Sequence, residues 1–551
     1  MPRSSVLSLA FCLVALSSCT PDAPRPAPEP YDATAGADAR RIEADVRFLA
    51  DDLLEGREAG TRGFDLAALY VAQRMRATGL APAGEGGYYQ TVPLLKGERR
   101  EEDAAFVIHR DGTDTALRFG DDFLPDVDFN RGTASVTAPL VFVGQGVHAP
   151  ALGHDDFSGV DVTGRIAVLF GGAPRTFDTD RRAFHASNRE KLRTLADRGA
   201  IGAIFVATDA DEARSPWAHG TLNWRRPSMR LRSEDGTALD TFPGLQVVAR
   251  VRAGVAAQLL DTGGHSARQL FAHAEAGTLR AFELPGRVTL ASRTRVTPVA
   301  SRNVVGLLPG SDPTLAAEHV VFSAHLDHVG IGEPVDGDAI YNGALDNALG
   351  VAILLEAAKR LVQSDTAPRR SLLFVAVTAE EKGLLGAEWF ARHPTVAPGT
   401  LVANVNMDMP VLLAPTTDVV PVGIEHSTLA PLVEAAAREV GVGLSPDPVP
   451  EASIFVRSDQ YAFIRAGIPA VYLVGGHQGR DGVDAKAING AFMREHYHRP
   501  GDDASQPIRY DDAARLARLN AVIGQRIADA PDRPRWNEGD FFGEAFGTPR
   551  E

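Results

Sequence analysis

Cysteine is nearly absent from this 551-residue chain: there are two, Cys12 and Cys19, both within the first twenty residues. A disulfide-built scaffold is thereby excluded, and a chain of this length can rely on buried apolar cores instead. Positive charge is also scarce. Lys and Arg number 56 against 71 Asp and Glu, a net charge of −15, which argues against the basic face of a nucleic-acid binder. The early apolar stretch, Val6 to Leu16, is too short to span a bilayer. No internal repeat is visible. What remains is 44% hydrophobic and 23% charged, the balance of a soluble globular protein, and its length calls for at least two domains.

The first twenty residues, MPRSSVLSLAFCLVALSSCT, join Arg3 to that apolar stretch and read as a secretory signal. They end in Leu16-Ser17-Ser18-Cys19, which resembles the bacterial lipobox. The resemblance implies that residues 1–19 are a lipoprotein signal, cut before Cys19, and that this cysteine carries acyl chains. The protein is then expected to be exported and held at a membrane by lipid, not by a helix. Thr20 is not the aspartate that often retains such proteins at the inner membrane, so the outer membrane is expected where there are two. Residues 20–38, rich in Pro and Ala, read as a tether.

From residue 39 the pattern turns helical. RRIEADVRFLADDLL spaces Ile42, Val46, Leu49 and Leu53 by three and four, and a second helix is expected from about Phe64. Between about Ala138 and Val288 come short β-type runs, PLVFVGQGV, RIAVLFGG, GAIFVAT and LQVVARV, with the helical NREKLRTLADRGA among them. They predict a compact α+β module. VFVGQGVHAPALGHDDFSGVDVTGRIAVLF resembles the protease-associated (PA) domain. The module's His148, His154 and His185 show no ligand spacing. After SRNVVGLLPG, strands and helices alternate. Strands are expected at Val320–Ser323, Leu372–Val377, Val402–Asn406 and Ala470–Val474, and helices at Asn347–Leu361, Leu384–Arg392, Leu429–Val440 and Asp512–Ile527. This predicts an α/β fold: a mostly parallel central sheet with helices on both faces, and ligand sites at the C-terminal strand ends.

Those strand ends carry the chemistry. One ends in His325-Leu326-Asp327, and the loop YNGALDNALG brings Asp346 to the start of a helix. LLFVAVTAEEKGLLG ends in Glu380-Glu381, LVANVNMDMP in Asp408, and REHYHRPGDD carries His498 far downstream. Two adjacent acids after a buried strand are costly unless something neutralises them. Imidazole with carboxylate suits divalent zinc. One histidine and one terminal carboxylate per ion, with one shared aspartate, would make a two-metal site with positions open to water and substrate.

With these five motifs in this order, the segment from about Ser301 to Asp503 resembles the M28 family of zinc metallopeptidases. The N-terminal helices and the inserted PA-like module resemble a common layout of that family. The resemblance implies residues 39–137 as the N-terminal part of a peptidase domain, 138–288 as the insert, 289–530 as the catalytic part and 531–551 as a polar, loosely ordered tail. It implies two zinc ions per chain. His325 and Asp408 would hold one, Glu381 and His498 the other, and Asp346 would bridge them. Glu380 would be the general base acting on a metal-bridging hydroxide, and Asp327 would orient the His325 imidazole through its side chain. His328, His477 and His496 carry no expected role. Ser458, Asp459 and Tyr472 are expected near the substrate pocket, where Gln460 stands in place of a histidine frequent in the family.

The activity so implied is an aminopeptidase on peptide substrates. A carboxypeptidase or dipeptidase of the same family is the nearest alternative, and a one-zinc glutaminyl cyclase the next. A non-catalytic binding relative would have lost ligands that are all present here. A calcium-binding surface protein would want an all-oxygen shell, against which His325 and His498 argue.

Overall fold

The computed structural model describes residues 36–547. The expected signal, the cysteine expected to carry lipid, and most of the tether lie outside the described residues. No helix among those described is long and apolar enough to cross a membrane.

A sixteen-stranded sheet organises the molecule. In its C-terminal half the strands His319–His325, Ser371–Val377, Leu401–Asn406 and Ala470–Gly475 run parallel. Asp418–Val422 closes against the last of these antiparallel. The first three are buried at every position. Strands covered on both faces have no solvent side to alternate toward, which is why these segments read as continuous apolar runs. One face packs against helices Ala37–Leu49, Arg62–Thr78, Leu349–Val362 and Tyr510–Asp529. The other packs against Leu385–Arg392 and Gln460–Arg465.

The helix Arg62–Thr78 shows how local sequence sets these elements. Thr61 caps its start by accepting from the Phe64 amide, and Gly79, at φ +99°, ends it in the left-handed region. Phe64, Ala67, Ala68, Val71, Ala72 and Met75 form its buried face. Gly63 lets the preceding turn lie against the helix, since a Cβ there would meet the Leu54 carbonyl oxygen at 1.9 Å.

Two long strands, Tyr89–Arg110 and Phe282–Leu308, form an antiparallel ribbon from the C-terminal half into the inserted module. At one end Phe282–Leu308 pairs with Ser371–Val377, at the other with Thr133–Phe142. The module's sheet continues through Ile166–Phe170, Gly202–Val206 and Val247–Val251, all parallel, with Phe123–Pro125 antiparallel at its edge. Its strands are thus sandwiched in α/β fashion, and its two cores draw only on residues 106–290. Phe106, Leu117 and Phe123 belong to them, so the module's core begins upstream of residue 138.

The expectation of a loose tail fails for residues 531–547. Phe541–Phe546 is a helix, Phe542 is fully buried, and Trp536 donates to the Gly467 carbonyl at 2.9 Å. Aromatic side chains in an otherwise polar stretch give this segment enough apolar surface to dock.

Candidate metal centre

His325 is the last residue of its strand, and Asp408 lies two residues beyond Asn406. Glu380 and Glu381 follow Ser371–Val377 after a turn at Ala379, and Asp346 sits in the turn that opens helix Leu349–Val362. His498 comes from the loop after helix Ala485–Glu495. Non-glycine residues with positive φ gather here: Arg57, Ala379, Met409 and His498. Backbone held in that region is strained, and it persists where the surroundings over-determine it.

The side chains converge on Asp346. His325 Nε2 is 3.1 Å from Asp346 Oδ1 and 3.0 Å from Asp408 Oδ1. His498 Nε2 is 3.1 Å from Asp346 Oδ2 and 3.1 Å from Glu381 Oε2. Two positions result, one on each oxygen of Asp346. The first is framed by His325 and Asp408, the second by Glu381 and His498. The structure thus brings together all five residues expected as ligands. Glu380 lies beside them with partial exposure.

Electrostatics shows what these groups demand. Burial opposes the charge on Asp346, as does Glu381, yet hydrogen bonds from His325 and His498 hold it below the usual carboxylate range. Glu381 is likewise held low against burial, by His498 and His328. Burial would lower His498, but Glu381 and Asp346 lift it to about 10. Burial is also overcome at His325, raised by Asp408 and Glu380. Glu380 is pushed well up by burial, with Glu381 and Asp408 adding to it. Protonated imidazoles thus balance clustered acids, the role a divalent cation would fill.

The donor set fits such a cation. Groups of three metal-ligating side chains meet at His325–Asp346–Asp408 and at His328–Asp346–Glu381. Nitrogen and carboxylate donors of this kind suit zinc. Near them, both carboxylate oxygens of the buried Asp459 lack hydrogen-bond partners.

Several expectations are corrected. The Asp327 side chain does not reach the His325 ring. Its oxygens accept from the Glu380 and Glu381 amides at 3.1 and 3.3 Å, so it fixes the acidic turn. The Asp327 backbone carbonyl is what lies 3.0 Å from His325 Nδ1. Burial raises the Asp327 carboxyl to about 7. His328, given no role by the sequence, is fully buried with Nδ1 at 2.7 Å from Glu381 Oε1. Gln460 is saturated: it accepts from Asn406 Nδ2 at 2.8 Å and donates to the Ile454 and Phe455 carbonyls. Ser458 also accepts from Asn406, and Tyr472 donates to the Asp408 carbonyl at 2.8 Å. These residues hold the strand tips. His477 lies away from the cluster, its amide on Asp418. His496 packs on Phe492.

The sequence reading also missed Arg57, Asp502 and Tyr497. Arg57 is fully buried, and burial lowers it to about 10. It donates to the carbonyls of Leu326 at 2.9 Å, Asn342 at 2.6 Å, Gly343 at 3.0 Å, and Leu49. One guanidinium thereby ties together the loops that carry His325 and Asp346. Asp502 accepts from the amides of Leu345 and Asp346, at 2.8 and 3.0 Å, and burial raises it to about 7. Tyr497 stacks on the His498 ring at 3.9 Å. The REHYHRPGDD motif held the last two, but nothing in the sequence distinguished them from loop residues.

A probable zinc metalloprotease of Pyrenophora teres f. teres (strain 0-1) is 35% identical over 115 residues, 21% of this chain and 23% of that protein. Its counterpart in Pyrenophora tritici-repentis (strain Pt-1C-BFP) is 34% identical over 115 residues, 21% of this chain and 25% of that protein. The matched stretch therefore spans about a quarter of the length of these curated relatives. The solved aminopeptidase from Aneurinibacillus sp. strain AM-1 shares the fold, with a TM-score of 0.52 at 20% identity, covering 91% of this chain and 98% of that one. The segment that carries every candidate ligand, residues 303–523, matches the model of peptidase family M28.

Proposed function

We propose that this chain is a zinc-dependent exopeptidase that holds two ions and removes N-terminal residues from peptides. The observation that carries the reading is the division of Asp346: one oxygen faces His325, which also meets Asp408, and the other faces His498, which also meets Glu381. When bound, two zinc ions supply Lewis acidity that polarises a peptide carbonyl and lowers the pKa of the attacking water. Glu380 takes the proton of that water and returns it to the leaving amine. Its partial exposure leaves it open to substrate. The carboxylates of Asp346, Glu381 and Asp408 gathered around the two positions suit a substrate ammonium better than a substrate carboxylate. This favours cleavage from the amino end. Zinc as the metal is carried over from the curated relatives named above. We further infer export and lipid attachment at Cys19. The inserted module is read as PA-like.

The test is zinc content together with turnover. The chain and its Glu380→Gln variant are assayed on aminoacyl-p-nitroanilides and their N-blocked counterparts, with zinc measured per chain. The expected result is two zincs, cleavage of free-amine substrates alone, and a slow variant that keeps its metal. Two zincs with no such cleavage would move the reading to a carboxypeptidase or dipeptidase. One zinc or none would sink the two-ion site and favour a cyclase or a binding protein.

A further inference from the structure

We propose that His328 is the positioning residue of the second metal position. It holds Glu381 so that one carboxylate oxygen, and only one, faces the ion. The inference rests on the two-ion reading above and adds a residue to which the sequence gave no role.

The two oxygens of Glu381 have different partners. Oε2 lies 3.1 Å from His498 Nε2, on the side of the second position, while Oε1 lies 2.7 Å from His328 Nδ1. An ionised carboxylate only accepts, so Nδ1 carries the proton and donates. A nitrogen that carries a proton offers no lone pair to a metal. The other ring nitrogen, Nε2, is buried and has no partner. His328 is therefore placed as a donor to a ligand and not as a ligand. His498 differs on this point: its Nε2 is equidistant from Asp346 and Glu381, whereas His328 Nδ1 is 3.9 Å from the nearest Asp346 oxygen.

The ring has little freedom to leave this pose. It is fully buried, and its centroid is 5.6 Å from that of His498. Gly343, at φ +62°, lies so close that a Cβ there would meet His328 Cγ at 2.5 Å and Cδ2 at 2.7 Å. The His328 amide donates to the Arg57 carbonyl at 3.3 Å, so the backbone is anchored too. A donor fixed on all sides holds the Glu381 side chain in one orientation. Partners that orient a metal ligand in this way carry about 10–100-fold in metal affinity.

The experiment measures zinc binding by chelator competition on the full chain and three variants, His328→Ala, His328→Asn and His498→Ala, with thermal melts to confirm folding. The Asn amide reproduces a donor near the Nδ1 position. The expected result is two ions in the unaltered chain and a second ion held about 10–100-fold more weakly in His328→Ala. The first ion should be unchanged, affinity should largely recover in His328→Asn, and His498→Ala should lose the second ion. Unchanged affinity in both His328 variants would overturn the proposal and leave His328 as packing. Loss of the second ion in His328→Ala with its retention in His498→Ala would also overturn it, because His328 would then be the ligand. A chain that binds fewer than two ions fails earlier, and takes the two-ion reading down with it.

Discussion

The C-terminal half and the inserted module are built alike and use their buried charge differently. Both have parallel strands covered on both faces; Ile166–Phe170 and Gly202–Val206 are as fully buried as His319–His325. In the module, buried charged groups answer the backbone. Asp156 accepts from the Gln145 and Val147 amides, at 3.0 Å each, and Lys191 donates to the Gln145 carbonyl and, at 2.5 Å, to that of Gly172. In the C-terminal half His325, Asp346, Glu381 and His498 answer one another, and both oxygens of the nearby Asp459 are left without partners. A buried charge saturated by backbone holds a fold. A set of titratable groups that satisfy only each other is the mark of a site that awaits something else. The same sheet supports either, so function belongs to the strand tips and not to the strands.

The comparison breaks hardest at Glu380. Glu380→Gln should lower kcat/KM on free-amine substrates about 10²–10⁴-fold while zinc content holds. Lys191→Met, in the module, should leave both quantities unchanged. If the lysine variant slows turnover as much as the glutamine variant, the division of labour between the two halves is wrong.

Arg57 makes the next largest test, because it is the cation of the site that answers the backbone, as Asp327 and Asp502 beside it also do. Arg57→Met deprives four carbonyls of their donor and removes the cation behind Asp502, Asp327, Asp346 and Glu381. The expected cost is about 3–5 kcal/mol in urea unfolding. Arg57→Lys should recover little, since a single ammonium cannot reproduce the planar fork of donors. A loss below about 1 kcal/mol would mean that the loops hold their shape without it.

Gln460 allows a finer test. A histidine in its place could not accept from Asn406 and donate to both the Ile454 and Phe455 carbonyls. Gln460→His should therefore cost about 1–3 kcal/mol of stability and leave zinc content unchanged. A gain in zinc affinity or turnover would show that the position serves the site directly.

How much of this was legible follows from distance along the chain. The strands, and the acids and histidines at their tips, were readable because an apolar run and its polar terminus are one local pattern. His325, Glu381 and Asp408 came from that pattern, and Asp346 and His498 from short motifs. Arg57 was not readable, because its acceptors at Leu326 and Gly343 lie 269 and 286 residues away. His328 looked like a loop histidine, because only the fold brings Glu381, 53 residues on, to its ring. The Asp327 side chain was expected on His325 because it lies two residues away. The two amides of the acidic turn, more than fifty residues on, compete for it and win. The long ribbon escaped for the same reason: Tyr89–Arg110 finds its partner in Phe282–Leu308 only after the module between them has folded back.

The smallest expected effect lies where the two halves meet. His426, from the C-terminal half, is stacked on Phe455 at 4.6 Å and meets the edge of Phe542 at 5.2 Å. Its Nδ1 is 2.7 Å from Asp540 of the C-terminal segment, and its Nε2 is 3.9 Å from Asp180 of the module and 3.9 Å from Glu425. Burial lowers the imidazole's pKa, but these three carboxylates more than offset it, so the folded value lies above the usual one. A folded pKa above the unfolded value of about 6.5 gives stability that is present in full below that pH. It is lost as pH rises through the folded value. Unfolding free energies followed from about pH 6 to about pH 9 should therefore fall further in the native chain than in His426→Gln. Histidines of the metal centre titrate in both proteins and cancel in the difference. Turnover and zinc content should be the same in the two at every pH where both are folded. Parallel profiles would mean that the ion cluster around His426 adds nothing to stability.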